Sequence, residues 1–190
     1  MRLSDRDKVL VGEGVELRPH ARRNYEIYGR WYSDPEVWRL TSWTAEPLRS
    51  REVERLFEDR EASTTERSFA IYRKAEREPL GIISLMNISK AHASADLSII
   101  VGDSTNRARG HGSDAMKTIL NYAFEDLGLR RVGLSVFDFN EAAIKTYKRL
   151  GFRQEGRLRD AIRRDGAFHD AILMSVLASE WSNQSGLRKD

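Results

Sequence analysis

Residues 112–127 carry Ala115, Met116, Ile119, Leu120, Ala123, Phe124 and Leu127 at helical spacing. That is a broad apolar stripe, and Gly128 behind it is a stop signal. Alternating segments flank it. Asp96–Val101 places Leu97, Ile99 and Val101 on one face, and Val132, Leu134 and Val136 do the same further on. A one-faced helix between two strands buries its stripe against a sheet, so a single sheet with helices packed on it is the expected architecture.

The remaining segments extend this pattern. Val15–Arg18 alternates as a strand, ended by Pro19. Asn24–Tyr32 reads as a helix with Tyr25, Tyr28 and Tyr32 on one face. A Trp-rich connector follows, and then a helix over Ser50–Glu61 with Ser50 as its N-cap and Val53, Leu56 and Phe57 on one side. Strands are expected at Phe69–Tyr72 and Leu80–Ile88, joined by a charged hairpin. A short helix spans Asn140–Leu150, capped by Asn140 and followed by Gly151. Two closing strands, 152–162 and 168–177, meet at Asp165-Gly166, a strong hairpin signal. The order βααβββαβαββ describes one α/β (α+β) domain over 14–182. Flexible polar tails are expected at 1–13 and 183–190.

Composition narrows the chemistry. The 190 residues include no cysteine, which excludes disulfides, thiolate zinc sites and an enzyme–Cys intermediate. The 32 basic and 29 acidic residues leave a net charge of +3, too small an excess to argue for nucleic acid. His20, His92, His111 and His169 show no metal-ligand spacing, so no metal is expected. No apolar run is long enough to span a membrane and the N-terminus lacks a signal-peptide core, so a cytoplasmic protein with no membrane partner is expected.

Two constellations carry chemistry. Arg107-Ala-Arg109-Gly110-His111-Gly112-Ser113 joins the strand ending at Val101 to the start of the long helix. Glycines permit close backbone approach, and free N–H groups at a helix start attract a pyrophosphate. Taken alone, such a loop is as readily a simple helix start. The second is Asn140-x-x-Ala143-x-x-x-Tyr147-x-x-x-Gly151-Phe152, where a small residue and a phenol share a helix face one turn apart. Taken alone, it is more often a buried stripe.

Together, over about 96–152, the two constellations resemble the GNAT superfamily of acyl-CoA-dependent N-acyltransferases. The Trp31–Trp43 segment and the ending Gly156-Arg157-Leu158, Asp165-Gly166, His169-Asp170-Ala171 are similar to the branch of ribosomal-protein N-terminal acetyltransferases and spermidine N-acetyltransferases. The resemblance implies a mixed, mostly antiparallel twisted sheet of about seven strands with about four helices. It implies acetyl-CoA as co-substrate, an amine acceptor and a homodimer. The loop Arg107, Arg109, Gly110, His111, Gly112 and Ser113 would hold the CoA pyrophosphate. Ile99, Ile100 and Val101 would pair with the pantetheine, and one of their N–H groups would polarise the thioester carbonyl. Asn140 and Ala143 would line the cofactor arm, and Tyr147 would be the general acid. A phenol suits this role, since its ordinary pKa of about 10 keeps it protonated at neutral pH.

Asp96, on the same strand face as Ser98, is the candidate for binding the attacking amine; a solvated strand-end carboxylate is the competing reading. Trp31, Trp38 and Trp43 are expected mainly as packing and lid residues, with an acceptor-pocket wall as the alternative. Arg157, Arg159, Arg163 and Arg164 are expected on a solvated face. The functional expectation is direct acetyl transfer from acetyl-CoA to a primary amine, on a small molecule such as a polyamine or aminoglycoside or on a protein N-terminus. The alternatives are a non-catalytic acyl-CoA-binding sensor or assembly module and, more remotely, a nucleic-acid-binding domain.

Overall fold

The structure, a computed structural model, describes residues 8–181. The first seven residues and the C-terminal segment expected as a tail lie outside the described residues. One sheet of eight strands organises the chain, in the order β1-β2-β3-β4-β5-β6-β8-β7. The strands are β1 Leu10–Val11, β2 Val15–Arg18, β3 Arg67–Arg73, β4 Pro79–Ser89, β5 Ser94–Val101, β6 Arg131–Phe137, β7 Arg153–Arg164 and β8 Ala167–Leu177. The helices are α1 Tyr25–Ser33, α2 Pro35–Thr41, α3 Ser50–Ala62, α4 His111–Asn121 and α5 Glu141–Arg149.

Neighbouring strands are antiparallel except β5 and β6, which run parallel. These two pair only where Ser94–Asp96 meets Arg131–Gly133. β5 stays bonded to β4 as far as Val101, and β6 to β8 as far as Phe137. The sheet therefore opens into a wedge beyond Asp96. Everything functional below depends on that wedge.

Each face of the sheet has its own core. On one face the α4 stripe (Ala115, Met116, Ile119, Leu120) packs on Leu17, Ile71, Ile83, Leu85 and Val132. On the other, Tyr25, Tyr28, Trp31, Val53 and Phe57 from α1 and α3 pack on Ala70, Tyr72 and Ile82. The tyrosine spacing is thus a buried aromatic stripe. Truncating a fully buried ring such as Phe57 typically costs about 3–5 kcal/mol. Several polar groups of this second core form a bonded network, while the Trp31 indole N–H is buried without a hydrogen-bond partner among the described residues. His20 Nε2 lies 2.8 Å from Ser68 Oγ, His20 Nδ1 lies 3.1 Å from Tyr28 OH, and Asn24 Nδ2 donates to Tyr72 OH at 2.6 Å. Burial, helped by the charge of Arg60, pulls the His20 imidazole down to about 3, so it is neutral there.

The structure departs from the sequence reading at five places. Leu10–Val11, expected within a tail, is a strand paired with β2, and Leu10 is buried. The Trp-rich connector contains α2, which begins at Pro35 with Asp34 Oδ1 accepting from Glu36 N and Val37 N. Asp-Pro-Glu is a complete start signal, but seven residues are too few to show a stripe. The cap of α3 is Arg49 rather than Ser50, and its N–H donates back to Glu52 Oε2 at 2.7 Å. The long helix ends in a π-type turn over Tyr122–Asp126, with Leu127 N bonded to Tyr122 O. Arg164 does not face solvent: it is buried, its guanidinium lies 4.0 Å from the Trp38 ring centre, and it donates to Ser42 O.

Candidate active site

The wedge holds two cavities. The larger, about 980 Å³, lies between the end of β5, the start of α4 and the face of α5. It is lined by Ile99, Val101, Arg107, Gly110, Gly112, Ser113, Asn140, Ala143 and Tyr147, all singled out from sequence, together with Met116 from α4 and Val37, Leu40 and Thr41 from α2.

Local geometry explains the shape. Gly110 caps α4 in the left-handed region at φ 86°, where an L side chain is strained, and Ala108 just before it sits at φ 57°. This reversal turns the chain from β5 into α4 and leaves the first N–H groups of the helix without intrahelical partners. Positive helix end and free donors face the cavity, a fit for a pyrophosphate. A Cβ on Gly112 would stand 3.4 Å from Val101 Cγ2, so a long side chain there would project from a surface already in contact. Among the described residues no strand covers the β6-facing edge of β5 beyond Asp96, which leaves that edge for an extended amide chain.

Three expected cofactor residues sit differently. The side chain of Ile100 turns to the opposite sheet face and is buried, as strand alternation requires. Arg109 and His111 are outside the cavity lining. Arg107 does line the cavity, but its guanidinium is engaged by the protein. It donates to Val101 O and Gly102 O and pairs with Glu36 at 2.9 Å. It fastens the loop to β5 and α2. Asn140 also reaches α2, donating from Nδ2 to Leu40 O while its Oδ1 accepts from Ala143 N.

The second cavity, about 470 Å³, lies between β5 and β6 in the same wedge. Asp96, Ser98, Arg131, Glu155 and Ser135 form its polar wall, and Leu40, Trp43, Met86, Phe137, Leu173 and Met174 its apolar one. Asp96 accepts from Asn87 Nδ2 at 2.9 Å and has no ion pair among the described residues. Arg131 and Glu155 form a two-pronged pair, with both bonds at 2.6 Å, and Ser175 Oγ donates to Glu155 at 2.7 Å. These bonds hold the Glu155 carboxyl below its usual range. Gly133 leaves space between the charges: a Cβ there would lie 3.5 Å from Asp96 Oδ1 and 3.6 Å from Arg131 Nη2.

Leu40, Thr41, Ile99, Asn140 and Tyr147 line both cavities. Tyr147 is half-buried on α5 against Phe152, with ring centres 5.9 Å apart, and burial pushes its phenol up to about 12. Of the tryptophans from α1 to α3, Trp31 is core, Trp38 supports Arg164, and Trp43 stands half-exposed at the second cavity. Sequence reasoning missed Arg131, Glu155 and α2. The Asp34-Pro35-Glu36 start could have revealed the helix, whereas nothing local marks Arg131 and Glu155 as partners.

A splayed parallel pair, a glycine-rich turn into a helix start and a phenol between two cavities define the architecture of an acyl-CoA-dependent acyltransferase. The family model for the acetyltransferase (GNAT) domain matches residues 15–153, and the chain belongs to that family. A spermidine N(1)-acetyltransferase of Vibrio cholerae is 29% identical over 77% of this chain and 84% of its own length. YdaF of Bacillus subtilis, which bears the name of a ribosomal N-acetyltransferase, is 31% identical over 55% of this chain and 56% of its own. Among solved structures, the V. cholerae spermidine N-acetyltransferase in complex with CoA and spermine superposes with a TM-score of 0.81 at 25% identity, covering 90% of this chain and 99% of that one. The chain is an acetyl-CoA-dependent N-acetyltransferase.

Proposed function

We propose that the larger cavity receives acetyl-CoA and the smaller one a primary amine, and that the acetyl group passes directly between them beside Tyr147. One observation supports this reading: the two cavities adjoin in the wedge and share Ile99, Asn140 and Tyr147 as lining. The start of α4 binds the pyrophosphate through the N–H groups of Gly110, Gly112 and Ser113, and the open edge of β5 bonds the pantetheine amides. The co-substrate supplies an activated acyl group and a thiol leaving group. A backbone N–H of the β5 end holds the carbonyl oxygen, a contact typically worth about 3 kcal/mol where negative charge develops. Asp96 binds and orients the amine, whose ammonium loses one proton to solvent before the nitrogen attacks, and the second N–H proton, lost from the adduct, restores the one Tyr147 gives up. Tyr147 gives a proton to the leaving sulfur, and a phenol raised to about 12 stays loaded across the neutral range.

The assignment is tested by Tyr147→Phe, which keeps the ring packing and removes the proton. Turnover should fall by about 100-fold. Acetyl-CoA affinity, measured by calorimetry, should stay within about threefold. Equal losses in both would sink the general-acid role.

We further infer a cytoplasmic homodimer, supported by the resemblance to the spermidine and ribosomal-protein branch. Sedimentation equilibrium would read twice the 21.9 kDa chain mass if that is so, and the single mass if not.

A further inference from the structure

The charges of the acceptor cavity select among amines. Among the described residues its carboxylates are Asp96 and Glu155, and its one cation is Arg131. Glu155 is matched by Arg131 through two bonds of 2.6 Å, so the wall carries one negative charge without an ion partner, on Asp96. The guanidinium and that carboxylate both converge on the space above Gly133. A first ammonium bound at Asp96 therefore has a fixed positive group beside it. A second ammonium a few carbons away would meet Arg131 and a carboxylate, Glu155, whose charge that guanidinium already offsets. Beyond these charges the lining joins the hydroxyls of Thr41, Ser98 and Ser135 to one apolar wall. Trp43 stands half-exposed over the cavity, its ring in edge contact with Phe137 at 5.1 Å, and Leu40, Met86 and Met174 continue that wall.

From this pairing we infer that the acceptor is a primary monoamine with an aromatic body, its ammonium on Asp96 and its ring against Trp43. The inference rests on the reading of this cavity as the acceptor site. It departs from the polycationic acceptors named for the V. cholerae relative, since linear polyamines need carboxylates at intervals along their length. Arg131 and Trp43 are then specificity residues: the first rejects additional positive charge, the second favours a flat apolar group.

The test measures kcat/KM by thiol release from acetyl-CoA with phenethylamine, tryptamine and spermidine at neutral pH. Wild-type protein should prefer the better aromatic monoamine to spermidine by about tenfold or more. Arg131→Gln leaves Glu155 unmatched and should shift the ratio toward spermidine by about fivefold, the scale of one partly exposed ion pair. Trp43→Ala should lower the aromatic amines by about tenfold and leave spermidine within about twofold. Acetyl-CoA binding by calorimetry, unchanged in both variants, shows that each is folded with an intact cofactor half. A wild-type preference for spermidine overturns the proposal, as does a ratio that Arg131→Gln does not move. Thiol release with none of the amines, from protein that binds acetyl-CoA, overturns it together with the placement of the acceptor. Failure to bind acetyl-CoA overturns instead the cofactor assignment of the larger cavity.

Discussion

The two cavities proposed as the cofactor and acceptor halves of the site are built from different materials. The cofactor half is mostly backbone: the free edge of β5, the left-handed turn at Ala108 and Gly110, and the first N–H groups of α4. The acceptor half is mostly side chain: Asp96 from β5, Arg131 from β6, Glu155 from β7 and Trp43 after α2. Backbone recognition needs a continuous segment of the right conformation. Side-chain recognition needs convergence from four segments that are far apart in sequence. A co-substrate common to a family can be held by the first kind of surface, while acceptor choice can change with single substitutions in the second.

That contrast is broken most forcefully at Gly112. Gly112→Glu places a carboxylate at an anion-binding helix start, and acetyl-CoA affinity should fall by roughly 100-fold or more in calorimetry. Unchanged binding would mean that the α4 start is not the pyrophosphate site. Asp96→Asn addresses the other half. KM for the amine should rise by about tenfold, the scale of one charge-assisted hydrogen bond, with acetyl-CoA affinity unaltered. If both constants move together, the halves are not separable. Glu36→Gln probes the tie between loop and α2 through Arg107. The pair is partly exposed, so the effect on acetyl-CoA affinity should be no more than about fivefold.

Away from the site, His20 makes a pH prediction. Its imidazole titrates near 3 when folded against 6.5 for the ordinary group. Between those values the unfolded chain holds the extra proton. The stabilisation is therefore complete above pH 6.5 and is lost as pH falls toward 3, by at most about 1.4 kcal/mol per pH unit. Urea midpoints measured down this range should drop more steeply for wild type than for His20→Asn. Parallel slopes would show that His20 does not titrate in the folded protein as its burial requires.

Much of the fold was legible because periodicity is local. The α4 stripe, the alternation of β5 and β6, and the Asp165-Gly166 turn, with φ of 51° and 83° at the two positions, all stand where the residues put them. What escaped was short or cooperative. β1 is two residues long and exists through its pairing with β2, and α2 has seven residues held by Asp34, Asn140 and Arg107 rather than by its own stripe. Arg164 illustrates the same point. It stands in a run of arginines that reads as a wet face, yet Trp38 and the carbonyls after α2 bury it.

By itself the sequence determined the strand–helix order apart from β1 and α2, the glycine-rich turn before α4 and the phenol on α5, since each follows from the conformational preferences of neighbouring residues. The tertiary structure alone decided that β5 and β6 part after Asp96, that Arg107 serves the loop rather than the cavity, and that Arg131 and Glu155 neutralise each other beside Asp96. Those outcomes depend on sheet register and on long side chains meeting across strands. Such distances are set by the whole packed sheet and not by any one segment of it.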